Sequence, residues 1–185
     1  NPPFFNKGRL FHDSIEHFWD KLGTPEEVSR TKKRTDGKKY SNADEFASYM
    51  SGKWMHLAIK SEHSLNPRNK IDWEREGQKY AMREEIKNIS YYLFPHLIER
   101  GRPLYQEISF NFVLGRRKFT GRIDGIRIKE KKVVIEDFKT GRPWMEQMKI
   151  NHDPQMTMYN VGLGALCFAD EKFARSLGLE KQRKN

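Results

Sequence analysis

The chain has 185 residues and a mass of 22.0 kDa, a length that fits one domain. Its 35 Lys and Arg residues exceed its 25 Asp and Glu residues, and the net charge of +10 favours nucleic acid, anionic lipid or an acidic protein as partner. One cysteine, Cys167, excludes a disulfide framework, a four-thiolate zinc site and a cysteine-held iron–sulfur cluster, and it indicates a cytoplasmic protein. The apolar stretches are too short to cross a bilayer, so no membrane partner is expected.

Residues 1–103 are predicted to be mainly helical. Apolar side chains at three- and four-residue intervals predict a first amphipathic helix over about 10–22. Two further helices are predicted over about 42–60 and 73–94, the last one ending around Pro95.

A basic loop lies between the first two predicted helices. Residues 30–39 contain six Lys or Arg in ten positions, interrupted by Asp36 and Gly37, and they lack apolar spacing. Such a loop is either simply solvated or in contact with phosphates. Its candidate phosphate contacts are Lys32, Lys33, Arg34, Lys38 and Lys39.

The pattern changes to strands after residue 103. Three segments rich in Val, Ile, Phe and Tyr, at 104–114, 118–128 and 132–140, are separated by short polar turns and predict an antiparallel meander. A helix over about 153–168, with Pro154 in its first turn, and a shorter helix over 170–177 follow. The predicted fold class is α/β (α+β), a three-stranded meander flanked by helices.

Charged residues converge on the second and third strands. Asp137 and Lys139 share a face of the third strand, whereas Glu136 points the other way, and the short turn places Asp124 almost opposite Asp137. Two converging carboxylates repel each other unless a divalent cation lies between them, and hard oxygen ligands suit Mg²⁺ or Mn²⁺. A partly exposed ion pair at a strand end is the alternative interpretation.

Two helical patterns add to this set. Gln155 and Tyr159 lie one turn apart on the helix after the strands, a spacing that lets both side chains face one site. The pattern Gly-x-x-x-His occurs twice on the early helices, ending at His12 and at His56.

In this order, Gly-x-x-x-His, Gly121-x-x-Asp124, Asp137-x-Lys139 and Gln155-x-x-x-Tyr159 resemble the RecB-type branch of the PD-(D/E)XK nucleases. The resemblance implies a restriction-endonuclease-like core and metal-dependent hydrolysis of DNA phosphodiesters, with Mg²⁺ or Mn²⁺ and without an iron–sulfur cluster. It makes Asp124, Asp137 and the Phe138 carbonyl metal ligands and Lys139 the catalytic lysine. Gln155 and Tyr159 match the helix motif that supports the site.

The same resemblance implies one histidine ligand, and we favour His12 over His56. Its same-face neighbour one turn on is Glu16, whose carboxylate can raise the basicity of the imidazole. His56 has Lys60 at that spacing, which would repel a cation.

The family pattern also includes a fourth core strand, which is not evident after Leu177. We therefore expect residues 1–185 to be a single nuclease domain from a longer chain.

The sequence thus predicts a metal-dependent DNA nuclease, expected to be an exonuclease in DNA repair, recombination or phage and mobile-element DNA processing. A catalytically silent nucleic-acid-binding module of the same fold, within a larger helicase–nuclease assembly, is the alternative; helicase or recombination proteins are the expected protein partners. Besides the basic loop, the candidate DNA contacts are Arg116, Arg117, Arg122 and Arg142.

Overall fold

A computed structural model describes residues 2–31, 39–138 and 153–179 of the chain. The described residues divide into two compact units. The helical unit holds residues 2–31 and 39–102, and the strand unit holds residues 103–138 and 153–179.

The helical unit contains five α-helices and a short 3₁₀ helix within its described ranges. They are α1 Pro3–Glu16, α2 Phe18–Lys21, α3 Pro25–Thr31, α4 Ala43–Glu62, the 3₁₀ helix Pro67–Asn69 and α5 Gln78–Arg100. None of the helices in the described ranges of the chain is long and apolar enough to span a membrane.

The helix ends differ from the sequence prediction in four places. The first helix begins at Pro3 rather than near Leu10, since proline suits the first helical turn, and it breaks at His17. The third predicted helix begins only after Gly77, which has a φ of 74°, and it continues through Pro95. Pro95 is tolerated because Phe94 and Leu97 beside it are both buried, so packing offsets the lost backbone hydrogen bond.

An aromatic cluster forms the centre of the helical unit. The ring of Phe18 contacts those of Tyr40, Phe46 and Phe94, with centroids 5.2 to 5.5 Å apart. The Tyr40 hydroxyl donates to the Phe18 carbonyl at 3.0 Å, so the polar atom of this buried ring has a partner.

The strand unit contains a three-stranded antiparallel sheet in the order β1-β2-β3, followed by two helices. The strands are β1 Tyr105–Leu114, β2 Arg117–Lys129 and β3 Lys132–Glu136, and the helices are α6 Pro154–Ala169 and α7 Glu171–Ser176. Glu130 and Lys131 both have positive φ, 52° and 61°, which is typical of the tight type I′ turn that joins two hairpin strands. This arrangement confirms the predicted meander and fold class.

The ring of Phe110 packs tightly between α6 and the sheet. It lies between Gly121 of β2 and Gly162 of α6, so closely that a Cβ atom at either glycine would come within 2.4 or 2.6 Å of it. Tyr159 and Leu163 of α6 pack in the same buried cluster, together with Ile123 and Ile126 of β2. The helix face that carries Tyr159 is therefore held against the strands.

Candidate active site

The regular pairing of β1 with β2 is interrupted at one position. Gln106 pairs with Gly125 and Ile108 pairs with Ile123, so the register sets Glu107 opposite Asp124 between them. Glu107 has a φ of 49°, in the left-handed region that glutamate rarely adopts.

This distortion changes which side chains face the core. Ile123 and Ile126 both lie in the buried cluster although they are three residues apart, whereas a regular strand alternates its faces every residue. The change of phase falls at Asp124, whose exposed fraction is 7%. The strand thus carries a carboxylate inward at the point where its two faces exchange.

Two carboxylates meet at this interruption. An oxygen of Glu107 and an oxygen of Asp124 lie within 4.8 Å of each other, and the Glu107 side chain is only 8% exposed. The backbone N–H of Phe138 donates to Asp124 at 2.7 Å, and the guanidinium of Arg122 pairs with Glu107. Two shielded carboxylates this close repel each other; Arg122 offsets part of their charge, and a bound cation would offset more.

The register of β2 with β3 brings in a third carboxylate. Gly125 pairs with Glu136, the last residue of β3, and extending this register by one step would set Asp137 opposite Asp124. Glu136 itself pairs with Arg127 at 2.9 Å. Lys139 lies outside the described residues.

The side chains of α6 connect to Asp137. The Asp153 carboxylate caps the helix by accepting the backbone N–H of Gln155 at 2.8 Å. The side-chain amide of Gln155 donates to the Asp137 carboxylate at 3.2 Å and to the Tyr159 hydroxyl at 2.7 Å. The predicted one-turn spacing of Gln155 and Tyr159 therefore does bring both side chains to the third strand's end.

The hydroxyl of Tyr159 accepts a hydrogen bond at this site and keeps its own proton. Burial first, and then the nearby carboxylates of Asp124, Asp137 and Glu107, raise the pKa of the Tyr159 hydroxyl to about 12, although the hydrogen bond from Gln155 lowers it. The phenol is thus protonated at neutral pH. Because its oxygen already accepts from Gln155, its proton can be donated to another oxygen.

The donor set suits a divalent cation that prefers oxygen ligands. Glu107 and Asp124 offer hard carboxylate oxygens within 4.8 Å of each other, and both side chains are largely shielded from water. A Mg²⁺ or Mn²⁺ ion bound there would compensate their mutual repulsion. The residues present therefore fit the metal predicted from sequence.

The remaining predicted residues lie in several places. His12 is half-buried on α1, and His56 is exposed on α4, both in the helical unit. Lys39 pairs with Glu27 at 2.9 Å, and Arg116 and Arg117 are exposed at the turn between β1 and β2. Lys32, Lys33, Arg34, Lys38 and Arg142 lie outside the described residues.

Glu107 is the one residue of this carboxylate group that the sequence prediction missed. The signal was present in the first hairpin. Its two-residue turn at Gly115 and Arg116 pairs Leu114 with Arg117, and counting along both strands from that pair places Glu107 opposite Asp124. The prediction used this count for the second hairpin only.

The comparison with protein families agrees with the motifs. The family model described as PD-(D/E)XK nuclease superfamily matches residues 2–184, nearly the whole chain. The chain therefore belongs to the PD-(D/E)XK nuclease superfamily, and its sheet and helices are consistent with the restriction-endonuclease-like fold. No curated protein sequence and no solved structure matches the chain significantly.

Proposed function

We propose that this protein is a Mg²⁺- or Mn²⁺-dependent deoxyribonuclease of the RecB-like branch that acts as an exonuclease. The observation that carries the proposal is the carboxylate pair of Glu107 and Asp124, whose oxygens lie within 4.8 Å of each other on neighbouring strands of a PD-(D/E)XK superfamily member, with Asp137 directly after β3. Two largely shielded carboxylates this close are unfavourable as a purely structural feature, since each one raises the free energy of the other's charged form.

The ligands in this proposal are Glu107, Asp124 and Asp137, with the Phe138 carbonyl and His12 completing the set. Phe138 is supported by its N–H bond to Asp124, which fixes its backbone beside that carboxylate. His12 is supported by its spacing from Gly8 and by Glu16 one turn on. When bound, the divalent cation would offset phosphate charge and lower the pKa of a bound water.

The chain's own side chains then orient the reacting groups. Tyr159 donates a hydrogen bond to a phosphate oxygen and stays protonated, and Gln155 holds both the Tyr159 hydroxyl and the Asp137 carboxylate in place. Lys139, two residues after Asp137 on the sequence, positions the attacking water or stabilises the negative charge that develops on the phosphate.

The surplus of basic residues supplies affinity for the DNA backbone. The proposed contacts are Lys32, Lys33, Arg34, Lys38, Lys39, Arg116, Arg117, Arg122 and Arg142. Binding of this kind weakens steeply as salt rises because it releases counterions from DNA. Such an activity suits one nuclease domain acting in the cytoplasm on DNA under repair or recombination, or on phage DNA, beside helicase or recombination proteins.

The test is cleavage of linear and circular DNA by the whole chain. End-labelled linear single- and double-stranded DNA is incubated with Mg²⁺ or Mn²⁺, or with EDTA, and closed circular DNA of the same sequence serves as the substrate without ends. We expect metal-dependent loss of linear DNA only, and a fall of about 100-fold or more in Asp124→Asn and Lys139→Ala, as for removal of one charge-stabilising group.

Lys132→Ala is the matched control, because Lys132 is an exposed lysine on β3. Cleavage that survives Lys139→Ala unchanged would refute the assignment of that lysine. Cleavage of the circles would refute the exonuclease assignment. Tight, salt-sensitive DNA binding without cleavage under any of these conditions would favour the binding module instead.

A further inference from the structure

The tip of the hairpin formed by β1 and β2 has an unusual surface. Val113 and Leu114 are 69% and 66% exposed, although both are large apolar residues. Three consecutive basic residues, Arg116, Arg117 and Lys118, follow them across the turn, and all three are exposed. Single exposed apolar residues are common on protein surfaces, but a neighbouring pair beside three cations indicates a contact surface.

The tip is stiff rather than loop-like. Strand pairing continues without a gap from Ile108 opposite Ile123 to Leu114 opposite Arg117. The turn itself has two residues, with Gly115 at a φ of 63°, a conformation that a glycine adopts without strain. A continuous stack of rings stabilises the strands that lead to this turn: Phe112 stacks on Phe119 at 5.3 Å and on Phe110 at 6.0 Å.

Each face of the tip carries one apolar side chain and one cation. Leu114 pairs with Arg117 on the face that continues the ring stack, and Val113 pairs with Lys118 on the opposite face. An element that enters between bases needs this arrangement, since apolar side chains replace the stacked base while cations on both sides contact the two backbones.

The same two strands carry the candidate active site. Leu114 lies seven positions after Glu107 on β1, and Arg117 lies seven positions before Asp124 on β2. At about 3.3 Å per strand residue, the tip lies roughly 23 Å from the carboxylates. A stacked strand advances about 3.4 Å per nucleotide, so this distance corresponds to about seven nucleotides.

We infer that the hairpin tip is a wedge for the junction between paired and unpaired DNA. Val113 and Leu114 pack on the last base pair, and Arg116, Arg117 and Lys118 hold the two backbones. One unpaired strand then runs along the sheet toward Glu107 and Asp124. The inference rests on the proposed nuclease function and assigns it a substrate class, DNA with a duplex end or fork beside a single strand.

The variant that tests the wedge is Val113→Thr with Leu114→Thr in the full chain. Threonine is β-branched and suited to strands, and both positions are exposed, so the fold is preserved. Val134→Thr on β3 is the control, because it makes the same kind of change at a partly exposed strand position outside this hairpin tip. Circular dichroism checks that all three proteins are folded alike.

The first measurement compares a forked duplex with a fully single-stranded oligonucleotide of the same sequence. We expect the double variant to cleave the fork about tenfold more slowly, a loss of about 1.4 kcal/mol of binding, and the single strand at the unchanged rate. Digestion of the unpaired arm of the fork by wild type should pause about seven nucleotides from the junction, the strand spacing divided by the nucleotide rise. Equal rates on the fork for wild type and double variant would overturn the wedge.

The second measurement does not depend on cleavage. The fork carries 2-aminopurine at its last base pair, and its fluorescence is read at low salt in EDTA under saturating protein. If the fluorescence rises with wild type and with Val134→Thr but not with the double variant, the wedge is supported. This holds even if no DNA is cut, in which case only the nuclease proposal fails. If the fluorescence rises with none of the three proteins, the wedge is overturned. Cleavage of the single strand would still leave the nuclease proposal intact in that case. Binding of wild type, but not of the double variant, to phosphatidylserine and phosphatidylcholine vesicles, without a fluorescence rise on the fork, would assign the tip to a lipid surface instead.

Discussion

Replacing Gly162 by alanine should separate close packing from helix propensity in α6. Gly162 and Gly164 both lie inside this helix, and alanine at either position gains about 0.8–1.0 kcal/mol of helix propensity. The new methyl group meets the Phe110 ring at 2.6 Å only at Gly162, whereas nothing lies within 4 Å at Gly164. Gly164→Ala is therefore a matched control for Gly162→Ala.

The propensity gain cancels when the two variants are compared. Overpacking a core costs about 1–3 kcal/mol, so the free energy of unfolding of Gly162→Ala should lie about 1–3 kcal/mol below that of Gly164→Ala. Urea denaturation followed by circular dichroism measures this difference. Gly162→Ala should also lower nuclease activity, because α6 carries the Gln155 amide that donates to Asp137.

A smaller ring should relieve the clash. With Phe110→Leu as background, we expect Gly162→Ala to cost at least about 1 kcal/mol less than in wild type, the coupling expected of residues in contact. Equal stabilities of Gly162→Ala and Gly164→Ala, within about 0.5 kcal/mol, would refute the close approach of Phe110 to α6 and with it the seating of the helix on the sheet.

Three further predictions concern the metal, the histidines and pH. Saturating Mn²⁺ at about 100 times its dissociation constant should stabilise wild type by about 2.7 kcal/mol in thermal unfolding, and this gain should disappear in Glu107→Gln and Asp124→Asn; an undiminished gain would exclude them as ligands. The gain should also be reduced in His12→Ala but kept in His56→Ala, and the reverse result would exchange the two histidines. Burial raises the pKa of Tyr40, so this phenol ionises first in the unfolded chain, near pH 10. The stability that this pKa difference contributes is therefore complete below pH 10 and is lost as the pH rises further. The free energy of unfolding of Tyr40→Phe should decline less steeply between pH 10 and 12 in urea titrations than that of wild type. Identical slopes for the two proteins would contradict the assignment.

The meander was predictable because short turns leave little freedom. A two-residue connection fixes which residues face each other, so the turn at Glu130 and Lys131 was enough to set a register that, extended by one step, would place Asp137 opposite Asp124. The helix start at Pro154 and the turn between Gln155 and Tyr159 were likewise local features, and the structure has both.

Helix ends were predicted less well, because they depend on contacts far away in the sequence. Proline at position 95 is a breaker by local rules, yet α5 continues because its neighbours Phe94 and Leu97 are buried. Gly77 adopts a left-handed conformation directly before α5, and the sequence prediction instead started the helix near Trp73.

The sequence by itself determined the class of protein, the meander and most of the candidate site, because motif spacing and turn length are properties of the chain alone. The tertiary structure decided that Glu107 joins the carboxylates. Its inward position depends on a left-handed residue and a change of strand phase at Asp124, and these persist only because the packed cluster around Ile123 and Ile126 requires both side chains inside. The burial that makes these carboxylates attractive to a cation is likewise a result of packing, which no local pattern encodes.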